Sequence, residues 1–324
     1  MPGIITPAFL IYMIDLFVKT FGVGENNGAS CSWDYFERTA PKYSVALDGY
    51  VHEGPAFNSE KIVVNFNHHE GVDRLATRAT CAQVLMAIRQ GMFRKFRDHD
   101  GVQAKVFVND CDEDVCTSWF LINNHHLVEG TMNPLINRLV AMEDALDATA
   151  GAYPFPVDLP ALKELAWVFE PYRQFRINGG LDKREPSAYR SIITDVENRI
   201  LQHVTGRGKT VHALDTRYEL IGGGNGWAMV KEIGSHARTA MFSDGIKAYV
   251  SVRERPGGRY TYTIGKLSPF IPFDLIRLTE ALNKQDDIVG DDKWGGGNNI
   301  MGSPRSRGSS LKPEKLSEII KEYK

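Results

Sequence analysis

Two adjacent histidines, His68 and His69, follow a short apolar run in the segment VVNFNHHEGVDR. Successive side chains of a β-strand point to opposite faces, so both imidazoles reach one site only if the strand ends before them. Glu70 and Gly71 supply the residues of a turn at that point. By itself the pair fits a loop with two solvated histidines equally well, so its interpretation depends on the rest of the sequence.

A cluster of carboxylates follows the next apolar run, in the segment VFVNDCDEDVC. It comprises Asp110, Asp112, Glu113 and Asp114, and a second apolar run, VCTSWFLI, comes directly after it. A solvated acidic turn is the ordinary interpretation, but anions confined between two buried elements repel one another unless a cation lies among them. Carboxylate oxygens combined with imidazole nitrogens suit manganese, magnesium or another first-row divalent ion.

Three further acidic residues complete a candidate metal site. Asp144 and Asp147 lie three residues apart near the end of a predicted helix, and Asp48 ends a short strand in the segment ALDGYV. Carboxylate clusters together with imidazole at one edge of a sheet are what a two-metal phosphoryl-transfer site needs. In such a site, one ion activates the attacking water, and both ions neutralise charge that develops at phosphorus and on the leaving oxygen. We therefore predict a divalent cofactor, Mn²⁺ or alternatively Mg²⁺, with the expected ligands Asp48, His68, Asp110, Asp112 and Asp144.

A glycine-rich stretch near the end of the chain, WGGGNNIMGSPRSRGSS, offers groups that bind phosphate oxygens. Glycine lets a backbone N–H approach an anion closely, and amide, hydroxyl and guanidinium groups add further donors. A flexible surface loop would explain the same composition. The expected substrate-binding residues are Gly295, Gly296, Gly297, Asn298, Ser303 and Arg305.

The elements that must position these residues follow an α/β pattern. The periodicity predicts short strands at 43–51 and 61–67, an amphipathic helix at 77–96, a buried strand ending at Val108, and a helix at 133–147. This alternation favours a parallel sheet with helices on both faces. Ligands of such sheets gather at the carboxyl ends of the strands, which is where the candidate residues stand.

The second half of the chain differs in composition. A proline-rich segment at 153–160 precedes two helical patterns, and β-forming segments then begin, with a hairpin predicted around Pro256, Gly257 and Gly258. We therefore expect an α/β chain of three parts: a metal-binding domain at 1–155 with a parallel sheet, a helical linker at 156–205, and a smaller α+β domain at 206–324 that carries the glycine-rich loop.

Bulk properties agree with a folded protein of two domains. The 324 residues exceed what one hydrophobic core usually supports. A formal net charge of −2 argues against binding duplex nucleic acid by charge alone. Four cysteines at no disulfide-framework spacing favour reduced thiols and a cytoplasmic location. The apolar run PAFLIYMIDLFVKTF contains Asp15 and predicts a packed strand or helix rather than a membrane anchor.

Three of these motifs together resemble the DHH phosphoesterase superfamily with its DHH-associated C-terminal domain. They are the NHH at 67–69, the DCDEDVC at 110–116 that leads into a helix, and the late GGG followed by Asn298. The resemblance implies an N-terminal α/β domain that binds two divalent ions, usually manganese. It also implies a linker and a smaller domain whose glycine-rich loop contacts the substrate.

Carried over position by position, the resemblance assigns His68 to the metal and His69 to the substrate phosphate. Asp110 and Asp112 resemble the DxD pair of metal ligands. The glycine-rich loop with Asn298 matches the phosphate-facing loop of the C-terminal domain.

The chain departs from the family pattern at three points. Asn67 replaces the first aspartate of DHH, a residue that supports the site in the family more than it ligates metal. Asn298 stands where a histidine is usual. The DxD strand precedes DHH in the family but follows it here, so either the sheet is permuted or Asp110 and Asp112 correspond to a later aspartate and Asp48 to an early one.

The expected function is hydrolysis of a phosphodiester or phosphoanhydride bond in a small nucleotide, cyclic dinucleotide or short oligonucleotide. The catalytic residues would be His68, His69 and Asp112. The expected partner is a phosphorylated small molecule or a short single-stranded oligonucleotide held between the domains, with no membrane involved. Two alternatives stay open: an inactive nucleotide-binding or regulatory relative, and a one-metal hydrolase of a non-phosphate bond. The sequence leaves open the oligomeric state, for which a homodimer is one option, and the number of ions.

Overall fold

The chain separates into two compact units by its internal contacts. A computed structural model describes residues 11–19, 30–74, 76–130, 133–151, 153–290 and 292–322. The first unit comprises Met1–Ala148 and Glu164–Thr210, and the second comprises Thr149–Lys163 and Val211–Lys324. Most of the helical segment expected as a linker at 156–205 therefore groups with the first unit.

The first unit contains a mixed sheet that is mostly parallel. Its strands are β1 (Ile11–Val18), β2 (Ser44–Leu47), β3 (Ala56–Asn58), β4 (Val63–Phe66), β5 (Arg97–Asp98) and β6 (Gly101–Val108). They run in the spatial order β1-β6-β2-β4-β3, with β5 paired to β6. The pairs β1–β6, β6–β2 and β2–β4 are parallel, whereas β3 pairs antiparallel with β4 and β5 pairs antiparallel with β6. The described part of the apolar run near the start is thus a strand, β1; the rest of that run lies outside the described residues.

The helices between Trp33 and Val204 are α1 (Trp33–Thr39), α2 (Thr80–Arg89), α3 (Met92–Lys95), α4 (Glu113–Asn123), α5 (Pro134–Ala148), α6 (Pro160–Val168), α7 (Glu170–Ile177), α8 (Gly180–Lys183) and α9 (Pro186–Val204). The division between the two units falls within α6. The helix expected at 77–96 divides into α2 and α3, because Gly91 adopts a left-handed φ of 95° that ends the regular helix. Among the described helices, none combines the length and apolar character that a membrane span requires.

Both faces of the sheet are covered. Every residue of β2 and β4 is buried, whichever face its side chain occupies. On one face, Phe36 of α1 packs in a cluster with Ala46 and meets Phe107 edge-on, with ring centroids 5.6 Å apart. The helices α2 and α4 contact β4 and β6. Polar groups that follow these strands therefore collect at the strand ends, as expected for a parallel sheet covered by helices.

The second unit is built on a mixed, mainly antiparallel sheet. Its elements are β7 (Tyr218–Gly224), β8 (Trp227–Glu232), α10 (Ala237–Ser243), β9 (Ala248–Arg255), β10 (Arg259–Lys266), α11 (Leu275–Gln285), β11 (Gly295–Gly296), β12 (Ile300–Gly302) and α12 (Pro313–Glu322). The strands lie in the order β11-β12-β10-β9-β8-β7, and among these described pairs only β8–β9 is parallel. The predicted hairpin is confirmed, because β9 and β10 pair around Pro256-Gly257-Gly258, and the two glycines have left-handed φ values of 80° and 70°.

Candidate metal centre

Polar residues converge at the carboxyl edge of the first sheet. Asp48 directly follows β2, His68 and His69 follow β4 after one intervening residue, and Asp112 lies between β6 and α4. Because β6, β2 and β4 are parallel neighbours, their carboxyl ends meet at one edge. Asp147 reaches this edge from the last turn of α5.

His68 lies at the middle of the cluster. Its side chain is completely buried, and its Nε2 atom lies 2.5 Å from Oδ2 of Asp147, 3.6 Å from Oδ1 of Asp48 and 3.7 Å from Oδ2 of Asp114. Within the described part of the chain, neither ring nitrogen of His68 has a hydrogen-bond partner, and Oδ2 of Asp147 has none either. Buried polar atoms without partners are rare and costly, so this group of atoms calls for a ligand.

Most of these separations suit one divalent cation. Ligand atoms about 2.1 Å from an ion lie about 3 Å or more from one another, as Nε2 of His68 does from Asp48 and Asp114 at 3.6 Å and 3.7 Å. The 2.5 Å between His68 and Asp147 is shorter, so a bound cation would move these two atoms apart by about half an ångström. The ligand atoms form two groups, each within 4.8 Å, that share one histidine: Asp48, His68 and His69; His68, Asp114 and Asp147. A cation would be held by carboxylate oxygens and one imidazole nitrogen, the donor set that was expected from the sequence.

His69 completes the site at its exposed side. Its Nε2 atom lies 2.8 Å from Oδ1 of Asp48, which also accepts a hydrogen bond from the Thr80 hydroxyl at 3.0 Å. Burial disfavours charge on His69, but the Asp48 carboxylate outweighs it and raises the pKa of His69 to about 9. Burial likewise opposes charge on Asp48, yet His69 and His68 hold the pKa of Asp48 at about 2.

Arg74 binds the turn that carries both histidines. Its Nε atom donates to the carbonyl oxygen of His68 at 3.2 Å, and its Nη2 atom lies 2.9 Å from Nδ1 of His69. The second contact requires an unprotonated Nδ1, so a charged His69 ring and this Arg74 contact exclude each other. Arg74 is a functional candidate that the sequence analysis did not identify.

Asp114 is oriented by the start of α2. Its two carboxylate oxygens accept hydrogen bonds from the backbone N–H groups of Thr80 and Cys81, at 2.7 Å and 2.6 Å. The N-terminus of a helix favours an anion. Burial, together with the charges of Asp48 and Asp147, nevertheless raises the pKa of Asp114 to about 7. A bound cation would reverse this effect and keep Asp114 ionised.

The expected DxD ligands lie at the same edge but outside both groups of ligand atoms. Asp112 caps α4, because its Oδ1 atom accepts the backbone N–H of Val115 at 2.9 Å. Burial and the neighbouring carboxylates, Asp48 foremost, raise the pKa of Asp112 well above its usual range. Asp110 accepts the backbone N–H of Cys111 at 2.6 Å.

The structure distinguishes between the two aspartates near the end of α5. Asp144, the expected ligand, accepts hydrogen bonds from the backbone N–H of Ala79 at 2.7 Å and from Nη1 of Arg78 at 3.1 Å. Asp147 instead reaches His68. The sequence did contain a signal for this difference, because Asp147 continues the buried stripe of α5 through Val140 and Glu143.

Asn67 supports the histidine turn from beneath. Its amide nitrogen donates to the carbonyl oxygens of Val51 and Glu53 at 3.1 Å and 2.9 Å, and to Oε2 of Glu70 at 3.1 Å. Its Oδ1 atom accepts the backbone N–H of His69 at 3.0 Å. Three acceptors around one atom require a donor, so an amide fits here and a carboxylate would meet three oxygens. Asn67 therefore positions the site without contacting a cation.

Asp48 has an unusual backbone conformation. Its φ of 50° is left-handed, and its N–H donates to the carbonyl oxygen of Phe66 at 2.9 Å. Aspartate tolerates this region better than most residues, and backbone strain of this kind clusters at functional sites. The hydrogen bond joins the end of β2 to the end of β4, and so fixes Asp48 beside the histidines.

The predicted substrate residues lie in the second unit, where the glycine-rich stretch forms a tight hairpin. A Cβ atom on Gly296 would lie 2.4 Å from the carbonyl oxygen of Ile300, so the close approach of β12 requires glycine there. The N–H of Gly297 donates to the same carbonyl at 2.8 Å and is used within the hairpin. Gly295 and Asn298 are exposed.

The other two predicted substrate residues differ in environment. Ser303 is buried, and its hydroxyl accepts the backbone N–H of Tyr262 at 3.0 Å, which is a structural role. Arg305 is exposed, and its carbonyl oxygen accepts a hydrogen bond from Arg255 at 3.3 Å.

No model of a protein family matches this chain, and no curated protein matches its sequence. The resemblance to DHH phosphoesterases therefore depends on the sequence motifs of this chain alone.

Proposed function

We propose that the chain is a metal-dependent phosphoesterase that hydrolyses a phosphodiester or phosphoanhydride bond in a small nucleotide, cyclic dinucleotide or short oligonucleotide. The observation that carries this proposal is the buried imidazole of His68, whose nitrogens have no hydrogen-bond partner within the described residues and whose Nε2 atom faces Asp48, Asp114 and Asp147. A cation among these groups would satisfy the imidazole and neutralise the three carboxylates.

The chemistry of the donors favours a hard divalent ion. Oxygen and imidazole ligands suit Mn²⁺ and Mg²⁺, whereas thiolates would favour zinc or copper. Burial raises the pKa of the Cys81 and Cys116 thiols well above their usual range, which keeps both protonated. All four cysteines are free thiols. Mn²⁺ is the proposed ion, with Mg²⁺ as the alternative, and Asp110 and Asp112 extend the acidic edge toward a second ion.

Positive groups at the open side of the cluster favour a phosphate substrate. The His69 side chain is 34% exposed and is held by Asp48, and Arg74 adjoins it. Once His69 is charged, its Nδ1 atom no longer accepts from Arg74, so the imidazolium and the guanidinium can both donate to the anionic oxygens of a phosphodiester. When bound, the divalent ion would lower the pKa of a water molecule and neutralise charge at phosphorus.

Each residue then has a defined task. Asp48, His68, Asp114 and Asp147 hold the cation, and the backbone N–H groups at the start of α2 fix the orientation of Asp114. His69 and Arg74 bind a phosphate oxygen of the substrate.

The test is hydrolysis of bis-p-nitrophenyl phosphate and of a panel of linear and cyclic dinucleotides by the full chain. Reactions contain Mn²⁺, Mg²⁺ or EDTA, and His68→Gln serves as the inactive variant. We expect turnover that requires the metal and is lost in His68→Gln. Mn²⁺ binding without turnover of any phosphate ester would contradict the proposal. Dinucleotide binding would then indicate an inactive nucleotide-binding relative, and turnover of a carboxylic ester would indicate a one-metal hydrolase of another bond.

A further inference from the structure

A cavity in the first unit, separate from the candidate metal centre, is lined by arginines. Its volume is about 430 Å³, and Arg89, Arg94 and Arg97 line it together with Glu129. Pockets that bind small organic ligands have volumes of this order. None of its residues belongs to the acidic cluster described above.

Positive charge is in excess around this cavity. Among the residues that the structure describes, none of the three arginines pairs with a carboxylate. Arg89 donates to Oδ1 of Asn137 at 2.6 Å through Nη2, and its buried Nε atom has no partner among those residues. The carbonyl end of α2 offsets only about half a charge. Glu129 adds one carboxylate, which lies 3.2 Å from Nδ1 of His125. An anion is therefore the expected occupant.

The cavity also has an apolar, aromatic wall. The rings of Phe93 and His125 lie with their centroids 4.3 Å apart, and Ile88 and Val102 line the same space. Burial lowers the pKa of His125, so the ring is neutral at physiological pH and adds no charge to this wall. A wall of this kind suits a planar ring.

The cavity lies about one helix length from the candidate metal centre. The helix α2 begins at Thr80, which bonds to Asp48 and Asp114, and ends at Arg89, which lines the cavity. Ten helical residues span about 15 Å. A small ligand in the cavity is therefore not the substrate at the metal centre, and its binding does not require the metal.

We propose that this cavity binds a small phosphate ester that carries a planar ring, of the nucleoside monophosphate class. The guanidinium groups of Arg94 and Arg97 are exposed at the cavity and have the planar geometry that pairs with phosphate oxygens. The ring lies on the wall formed by Phe93 and His125. The bound ester supplies the anion that the arginines lack.

The test is isothermal titration calorimetry of the full chain in EDTA, with AMP, adenosine and inorganic phosphate as the probes. The double variant Arg94→Gln/Arg97→Gln removes two exposed guanidiniums for which the described part of the chain shows no hydrogen bond. Lys95→Gln is the matched control, because it removes a neighbouring exposed charge of α3 that does not line the cavity. Asp147→Asn alters the metal centre instead.

We expect AMP to bind the wild-type chain. Adenosine and inorganic phosphate should each bind with an affinity that is lower by about tenfold or more. The double variant should lose AMP affinity by about tenfold or more, while Lys95→Gln and Asp147→Asn retain it. Absence of AMP binding, or equal binding by the double variant and the wild type, would overturn the proposal. Loss of binding in Asp147→Asn alone would place the nucleotide at the metal centre and overturn it as well. A negative hydrolysis assay has no bearing on these outcomes.

Discussion

The Nε2 atom of His68 and the Oδ2 atom of Asp147 lie 2.5 Å apart, although one belongs to the turn after β4 and the other to the last turn of α5. Neither atom has a hydrogen-bond partner among the described residues. A cation bound by both atoms at about 2.1 Å would hold them about 3 Å apart and accept a lone pair from each, so its binding would relieve this close approach. The predictions concerning the candidate metal centre follow from this relationship.

The two aspartates of α5 should differ in their effect on metal binding. Asp147→Asn removes a charged ligand, and we expect the affinity for Mn²⁺ to fall by about tenfold or more. Asp144→Asn is the matched control, because Asp144 bonds to Ala79 and Arg78 and its replacement keeps an acceptor oxygen. Calorimetric titration with Mn²⁺ measures both. Equal losses in the two variants would show that the ligand assignment is wrong.

The free energy of unfolding should depend on pH, and this dependence should change when Mn²⁺ is bound. Burial and its acidic neighbours raise the folded-state pKa of Asp114 from 3.8 to about 7, so its contribution to stability is complete below pH 3.8 and is lost as the pH rises through 7. The metal-free chain should therefore lose stability between pH 3.8 and about pH 7. A cation competes with this proton, so the gain from Mn²⁺ should be larger at pH 8 than at pH 5.

Thermal unfolding midpoints with Mn²⁺ or with EDTA, taken across this pH range, measure this coupling. In Asp114→Asn, the part of the pH dependence that is due to Asp114 should disappear. An equal gain from Mn²⁺ at pH 5 and pH 8 would argue against a proton-linked site.

Restoring the aspartate of the DHH motif should destabilise the protein. Asn67→Asp replaces a donor by a carboxylate that faces two carbonyl oxygens and Glu70, at an expected cost of about 1–3 kcal/mol in the free energy of unfolding. Adding Glu70→Gln should recover part of this loss, because it removes one of the opposing charges. Urea denaturation measures the three variants. Wild-type stability of Asn67→Asp would contradict the supporting role of Asn67.

Arg74 should act on the substrate rather than on the metal. Arg74→Gln is expected to raise KM for a phosphodiester by about tenfold while Mn²⁺ affinity stays within a factor of about two. Arg78→Gln is the matched control, because the Arg78 side chain is 63% exposed and bonds to Asp144 rather than to a histidine. Steady-state kinetics separates KM from kcat. A fall in Mn²⁺ affinity would instead assign Arg74 to positioning the histidine turn.

Two neighbouring glycines of the second unit should respond differently to alanine. Gly296→Ala places a Cβ against the carbonyl oxygen of Ile300 at a φ of 149°, so we expect a loss of more than about 1 kcal/mol in stability. Gly295→Ala meets no atom of the described residues within 4 Å and should fold normally. Urea denaturation measures both variants. Equal stability of Gly295→Ala and Gly296→Ala would contradict the requirement for glycine at position 296.

Local patterns were sufficient for much of the fold. Apolar runs and helical spacing predicted the parallel strands, the helix at 133–147 and the hairpin around Pro256, because these signals depend on residues close together in the chain. The position of Asp48 and His68 at strand ends was readable in the same way. The split of the helix at 77–96 was not predicted, since it depends on the conformation of the single residue Gly91.

Tertiary structure decided which of several adjacent carboxylates enters the cluster. Asp144 and Asp147 share a helix, and the rotation of α5 against its neighbours turns only Asp147 toward His68. Asp114 reaches the cluster because the start of α2, distant in sequence, supplies its two N–H donors. The sequence by itself determined the residue types and the strand ends, and it predicted a cation among them. The ligand set depended on packing, because the direction of a side chain is set by elements that local spacing does not describe.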